Sequence, residues 1–489
     1  MSRSQHDPEG LRLPIKLDST SNGEFEPVPL DPIHHHARNL ALANATLHAR
    51  RLGIARRDFL VSLCGAASTL LAMNAAFLAG CKRGASYAMP AEAALEPAAA
   101  EAALAGNEFI FDVQGHFVNP TGAWTKDLPE GARPLSFVST EGCAAADEPG
   151  LAYLRCVGRD EFIKDIFLDS DTDLTVLSFV PSTRDGEPLT IEEATATSAL
   201  VEKMDGTHRL YLHGRVNPNQ PDDVEDMERL AKHFNIAAWK TYTQWGPDGK
   251  GFFMDDEPGL RMIEEARRLG VRNIAIHKGL PFGPRSYEHS TCVDIGRVAK
   301  RFPDVNFLIY HSGFVTGEGE GAYDPKRTDG IDALITSLRD NGIGKNGNVY
   351  AELGSTWRYL MRDPDMAAHG IGKLLAHVGE DNVLWGTDSI WYGSPQDQIL
   401  AFRAFQISPE FRERFGYPEI TPDIRAKVFG RNALKIYPVP EDVLSKHLAK
   451  DAVARERENY RNAPDPKFVT YGPKTRREFL NLKRRENMA

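Results

Sequence analysis

Cysteine is scarce in this chain. Five occur in 489 residues, at 64, 81, 143, 156 and 292, and no two stand in a CxxC spacing. Zinc-knuckle and thioredoxin-type sites are therefore excluded. No GxGxxG turn follows the first apolar run, so a dinucleotide fold would lack its phosphate-binding turn. No long basic run crosses the central region and the formal net charge is -10, which argues against a nucleic acid held through its phosphates. The one Gly-rich stretch, Gly317-Glu318-Gly319-Glu320-Gly321, is acidic. It would repel phosphate and reads as a mobile loop. The 42% hydrophobic and 26% charged content is that of a soluble globular protein, and a small-molecule substrate is the partner expected.

What is present is an alternation. Short apolar runs at 109–116, 173–180, 209–216, 236–242, 273–277, 305–311, 348–353 and 382–387 read as buried strands. Between most of them, apolar residues recur at spacings of three and four, as in GLRMIEEARRLG and VDIGRVAKRF. That is the period of a helix packed on a sheet. Eight strands alternating with helices predict an α/β fold, a (β/α)8 TIM barrel over 107–437. The insert at 117–172 is longer than an ordinary connection. It carries Trp124, Phe137 and Tyr153 and suits a lid. The charged tail at 438–489 reads as surface-wrapping or a homo-oligomer contact.

Four of the runs end in a polar group: His116 in FIFDVQGHF, His277 in NIAIHKG, His311 in VNFLIYHSG and Asp388 in NVLWGTDS. At the C-terminal rim of a barrel such groups converge where active sites are built. Strand periodicity puts Asp112, Gln114 and His116 on one face. An HxH pair here would be a strong metal signal; Gln114 is a weaker donor than an imidazole. Three imidazoles and a carboxylate predict one divalent ion, Zn²⁺ first, with Mn²⁺ or Fe²⁺ as alternatives. Lys240 ends the fourth run and Glu352 the seventh, and with Trp239, Tyr242 and Trp245 they are candidates for the substrate pocket.

The first 106 residues read differently. Residues 1–55 are polar and irregular, with His34-His35-His36 as a solvated cluster. Arg56-Arg57-Asp58-Phe59-Leu60 and the uncharged stretch to Gly80 resemble a twin-arginine export signal. The resemblance implies a twin-arginine translocase as partner and a periplasmic protein. Leu78-Ala79-Gly80-Cys81 is similar to a lipobox, which would anchor the chain through a lipid on Cys81; Ser86-Tyr87-Ala88 is an alternative cleavage site. On this reading 1–88 is leader and 89–106 an Ala-rich linker. Cys143 and Cys156 can pair in an exported protein.

FDVQGH, IHKG, IYHSG, WGTDS and FGRNALKIY together resemble the amidohydrolase superfamily. The similarity is to the branch that includes aminocarboxymuconate-semialdehyde decarboxylase. It implies His116, His277 and Asp388 as ligands, Gln114 in the place of the first histidine, and His311 as general acid/base. Asp388 would also accept a proton. In binuclear members a Lys at the position of Lys240 is carboxylated. The chemistry this points to is hydrolysis of an amide, ester or lactone. The alternatives are non-oxidative decarboxylation at the same site, with a substrate carboxylate on Lys240, and a non-catalytic exported binding protein, the reading Gln114 favours.

Overall fold

A computed structural model describes residues 7–485 except 8, 127, 136–137, 139–147, 149, 206, 282–286, 318, 442 and 445–450. Its centre is a parallel sheet of β1 (Phe111–Gly115), β2 (Leu174–Leu177), β3 (Leu210–Arg215), β4 (Ile236–Tyr242), β5 (Asn273–His277), β6 (Asn306–Tyr310), β7 (Val349–Glu352) and β8 (Val383–Leu384). The strands lie in chain order. The ends meet: Val113 N donates to Trp385 O (3.0 Å), Asp388 N to Gln114 O (2.9 Å) and His116 N to Ser389 O (2.6 Å). These bonds close the barrel and hold the last predicted ligand against the first.

The helices follow from the sequence pattern. Glu257–Leu269 has a proline in its first turn, buries Gly259, Met262, Ile263 and Ala266, carries Arg267 and Arg268 in its last turn, and ends at Gly270 with φ 80°. Each feature favours a helix with one apolar stripe and complemented ends. Inside the barrel, one apolar cluster draws on all eight strands, including Phe111, Val113, Leu174, Val176, Tyr211, Ala238, Ala275, Leu308, Tyr310, Tyr350 and Leu384, with Tyr437 below.

The strands are shorter than their apolar runs, because the polar residues at the rim leave the ladder early. Only His277 of the four lies within its strand; Asp388 stands four residues beyond β8. The face assignment in β1 also changes. Phe111 and Val113 join the inner cluster, and a register shift between Asp112 and Gly115 turns Gln114 and His116 toward the rim. Trp239 points outward, its indole N–H donating to Val271 O at 3.0 Å, so it is no pocket residue. The acidic Gly-rich stretch is anchored: Glu320 and Asp332 both bind the buried Lys373 ammonium, at 2.5 and 2.6 Å. Glu318 lies outside the described residues.

The N-terminal region differs most from its reading as an irregular tail. Pro32–Leu52 is a helix, started by Asp31, whose carboxylate accepts from His34 N, and ended by Gly53 at φ 69°. Its Ala37, Ala41, Ala45 and Ala49 are buried, a stripe of small residues that lets the helix Leu63–Ala79 approach closely. That second helix buries Leu70, Met73 and Phe77 among others. The arginine pair is engaged: Arg56 Nε donates to Glu9 O at 2.8 Å, and Arg57 lies 5.0 Å from the Phe468 ring centroid. Ala85–Tyr87 pairs antiparallel with Phe405–Ile407. No helix among the described residues is long and apolar enough to cross a membrane. Cys156 is disulfide-bonded; Cys143 and Phe137 lie outside the described residues.

His213 sits inside the barrel, bonded to Ser178 Oγ (3.1 Å), Tyr310 Oη (3.3 Å) and Tyr437 Oη (3.4 Å). Burial, helped by the nearby Lys240 and His116 charges, pushes its pKa well below 6.5. Below pH about 6.5 the unfolded imidazole takes up a proton that the folded one refuses, so stability is lost as pH falls. The loss is at most about 1.4 kcal/mol per pH unit. His213→Gln removes this contribution. Melting curves at pH 7 and 5 should therefore show a smaller acid-induced drop in Tm for the variant; equal drops would mean that His213 is not held neutral.

Candidate metal centre

Loop geometry aims the polar groups. His311 leaves β6 at φ 64°, followed by Ser312 at 54°, and Asp388 adopts φ 57° after β8. Left-handed backbone at non-glycine residues costs on the order of 1–3 kcal/mol each, and such strain gathers at functional sites. His311 is pinned on both sides. Its Nδ1 lies 2.7 Å from Gly354 O, and its backbone N–H donates to Glu352 Oε2 at 3.0 Å. With Nδ1 protonated, Nε2 carries the lone pair, and it is buried without a hydrogen bond. His277 stacks on Tyr242 with ring centroids 4.7 Å apart and meets the His311 ring edge at 4.4 Å.

The side chains gather in two groups. Asp388 Oδ1 lies 3.2 Å from His116 Nε2 and accepts from Gln114 Nε2 at 3.2 Å. Its Oδ2 accepts from Ser355 Oγ at 2.5 Å and Asn22 Nδ2 at 2.8 Å. The second group is Glu24, His277 and His311, whose ligand atoms all lie within 4.8 Å of one another. It is the one such cluster of His, Cys, Asp and Glu among the described residues. So His277 groups with His311, whereas His116 and Asp388 pair with each other.

Charge states follow from burial. His277 is driven well below its usual pKa by burial and then by His311 and Lys240, and His311 is driven down to about 4 by burial, with Asp388 opposing and Lys240 adding to the shift; both are neutral at pH 7. Burial lifts Glu352 to about 8 and lowers Lys240 to about 7. Asp388 stays below the usual carboxylate range, because the His116 and Ser355 bonds and the imidazole charges outweigh its burial. Lys240 Nζ is buried without a hydrogen bond, 3.8 Å from the Tyr310 ring centroid and 4.7 Å from that of Tyr242. Its charge interacts with Glu24, Glu352 and Asp388.

Above the site is a cavity of about 570 Å³. His116, Asp388, Glu24 and Tyr242 line it together with Trp124, Phe179, Trp245 and Trp391. Trp124 brings the long insert in as a wall. Lys240, Glu352 and Trp239 do not reach it. Leu482 and Lys483 do, so the tail read as surface-wrapping closes the cavity. Asn22, Glu24, Lys483 and His213 carried no sequence signal as site residues. Asn22 and Glu24 sit in a polar segment without period, Lys483 lies in the charged helix Arg476–Arg485, and His213 is a single histidine within the apolar run RLYLHGRV.

A family model described as amidohydrolase matches residues 111–439. A comparison with curated protein sequences gives no match. Solved structures similar to the chain include 5-carboxyvanillate decarboxylase from Sphingomonas paucimobilis (15% identity, 68% of this chain and 99% of that one, TM-score 0.42). Two others are 2,6-dihydroxybenzoate decarboxylase from Rhizobium (14%, 67% and 98%, 0.38) and 5-carboxyvanillate decarboxylase from Novosphingobium aromaticivorans complexed with manganese and a nitrobenzoic acid (14%, 68% and 96%, 0.44).

Glu352 fits only because two neighbours lack a side chain. A Cβ at Gly386 would overlap Glu352 Oε1, and one at Gly354 would press on both Gln114 and Glu352. Gly386→Ala should cost about 1–3 kcal/mol of stability, the usual range for overpacking. It should also displace the carboxylate that orients the His311 backbone. Thermal unfolding checks this; an unchanged Tm would show that Glu352 moves aside freely.

Proposed function

The chain belongs to the amidohydrolase family, and we propose that it hydrolyses an amide, ester or lactone bond in a small molecule with an apolar or aromatic body. The observation that carries this reading is the His116–Asp388 pair on the floor of the tryptophan-lined cavity, beside two buried imidazoles held neutral. With Nε2–H given to Asp388, His116 keeps a lone pair on Nδ1. Asp388, already accepting from Gln114, Ser355 and Asn22, remains a carboxylate. It orients the ring and stabilises the positive charge that proton uptake creates. Trp124, Phe179, Trp245 and Trp391 hold the substrate body and exclude water.

The donors present suit a divalent cation. His277 and His311 are neutral and adjacent, and the buried His311 Nε2 has no hydrogen bond to give up. These two residues would hold the ion, and neutral imidazoles suit Zn²⁺, Mn²⁺ or Fe²⁺. When bound, such an ion supplies Lewis acidity at the cavity floor. Lys483 on the cavity wall favours decarboxylation as a second reading, since its ammonium suits a substrate carboxylate. Lys240 and Glu352 do not line the cavity.

Elemental analysis and kinetics of single variants test the assignment. His277→Ala and His311→Ala should lower metal occupancy. His116→Ala should keep the metal and lower kcat by about 10²–10⁴-fold, the range for general acid/base catalysis. The opposite partition, with metal lost from His116→Ala and retained by His311→Ala, would restore the roles implied by family resemblance. A panel of lactones, esters and amides set against aromatic carboxylates tests the reaction itself. Release of CO₂ without hydrolysis would select the second reading.

A further inference from the structure

Residues 9–31 form neither helix nor strand, except that Asp31 caps the helix that follows. Yet they cross the barrel mouth as a strap fixed at many points. The Lys16 ammonium binds Asp397 (3.2 Å) and the Tyr392 and Ser394 carbonyls (2.6 and 2.7 Å). Asp18 pairs with Arg358 at 2.9 Å, and its carbonyl accepts from Arg362 at 2.7 Å. Ser21 N donates to Pro473 O at 2.9 Å. At the centre a tight turn, with Gly23 N on Ser21 Oγ and Glu24 N on Asn22 Oδ1 (both 2.9 Å), lowers two side chains into the site. Asn22 bonds Asp388. Glu24 places Oε1 3.4 Å from His277 Nδ1 and Oε2 3.7 Å from His311 Nε2.

We propose that Glu24 is a ligand of the metal centre, so that the N-terminal strap is a permanent part of the active site. This rests on the reading of His277 and His311 as ion-holding residues. Two observations carry it independently. The first is distance: donors about 2.1 Å from a tetrahedral ion stand about 3.4 Å apart, close to both Glu24 separations. The second is the buried His311 Nε2, which has no hydrogen bond and faces the same carboxylate. A buried acceptor nitrogen next to a largely desolvated carboxylate, 13% exposed, is unfavourable without a cation or a proton between them. The assignment also compensates for Gln114. The barrel lacks one imidazole at β1, and the strap brings a carboxylate from outside the barrel. Two imidazoles and a glutamate make a donor set suited to Zn²⁺ with room for substrate. A ligand at residue 24 is incompatible with cleavage at Cys81 or after Ala88, so the functional protein keeps its strap.

The experiment uses the full-length chain and Zn²⁺ alone, with affinity read by competition with a chromophoric chelator. Glu24→Gln, which keeps size and hydrogen bonding, should weaken Zn²⁺ binding at least about tenfold with Tm of the metal-free protein nearly unchanged. Glu24→Asp should recover part of the affinity. His277→Ala should lose it in any case, because it tests the underlying site. If His277→Ala loses Zn²⁺ and Glu24→Gln binds as wild type, the strap is no ligand and the inference falls while the site stands. If neither variant loses Zn²⁺, both fall. Higher activity of Glu24→Gln at unchanged metal content would mark Glu24 as a plug and also overturn the proposal. Should Glu24→Gln prove unstable, the Co²⁺-loaded absorption spectrum of Glu24→Asp decides: shifted bands support ligation and an unshifted spectrum opposes it. The intact mass of protein from expressing cells should include residue 24; a mature chain starting at Cys81 or beyond Ala88 would refute retention.

Discussion

The Asp388 carboxylate is the point on which the rest of the site hangs. Four side chains donate to it or lie against it, and they come from three places in the chain: Gln114 and His116 beyond the bend in β1, Ser355 after β7, and Asn22 from the strap. A buried carboxylate must be satisfied in this way or become neutral. Its own backbone is left-handed, and its N–H closes the barrel on Gln114 O. Removing any one donor would therefore be felt in the barrel seam, the strap and the imidazoles together. Such a group couples the N-terminal strap to the chemistry, because the folded mouth and the ionised carboxylate require each other.

The barrel was legible because its signals are periodic. All eight apolar runs became strands, in order, and the three-and-four spacing between them became the outer helices. His277, His311, His116 and Asp388 were legible for the same reason: each interrupts or ends a run that is otherwise apolar. Periodicity failed where the backbone departs from the regular ladder. The register shift after Asp112 sends Phe111 and Val113 inward, a face that strict alternation from Gln114 and His116 assigns to solvent-side helices. Along β4, Tyr242 and Lys240 point inward and Trp239 outward to Val271. Aromatic character alone could not separate Tyr242 from Trp239; their parity in the strand does.

Glu24 was illegible for a different reason. NGEFEPVP has no helical or strand period. What fixes it is a set of contacts to residues more than three hundred positions away, among them Arg358, Asp397 and Pro473. Each contact is polar and specific, and none leaves a composition signature. The tail is similar: Leu482 and Lys483 lie in a strongly charged helix, yet they cover the cavity. Segments that look solvated in sequence are placed here by long-range hydrogen bonds, while the scaffold they rest on is placed by apolar burial.

The helix Leu63–Ala79 shows how one composition serves two physical ends. An uncharged stretch rich in Ala, Leu, Gly and Ser fits the apolar part of an export signal, and it equally fits a helix buried on most of its circumference. The structure buries eleven of its seventeen residues, and the helix packs on Pro32–Leu52, with Ser68 bonded to His48 and the Phe77 ring edge-on to His34. Arg56 and Arg57, the charges that distinguish a signal, here bind Glu9 O and the Phe468 ring within the same fold. The strap depends on that packing. Glu24 can reach His277 only if the chain leaving it is tied down, and the helix pair that follows supplies the anchor. On the proposed ligation by Glu24, retention of this region would be selected by the metal centre itself, because the segment that resembles an address would also hold that ligand in place.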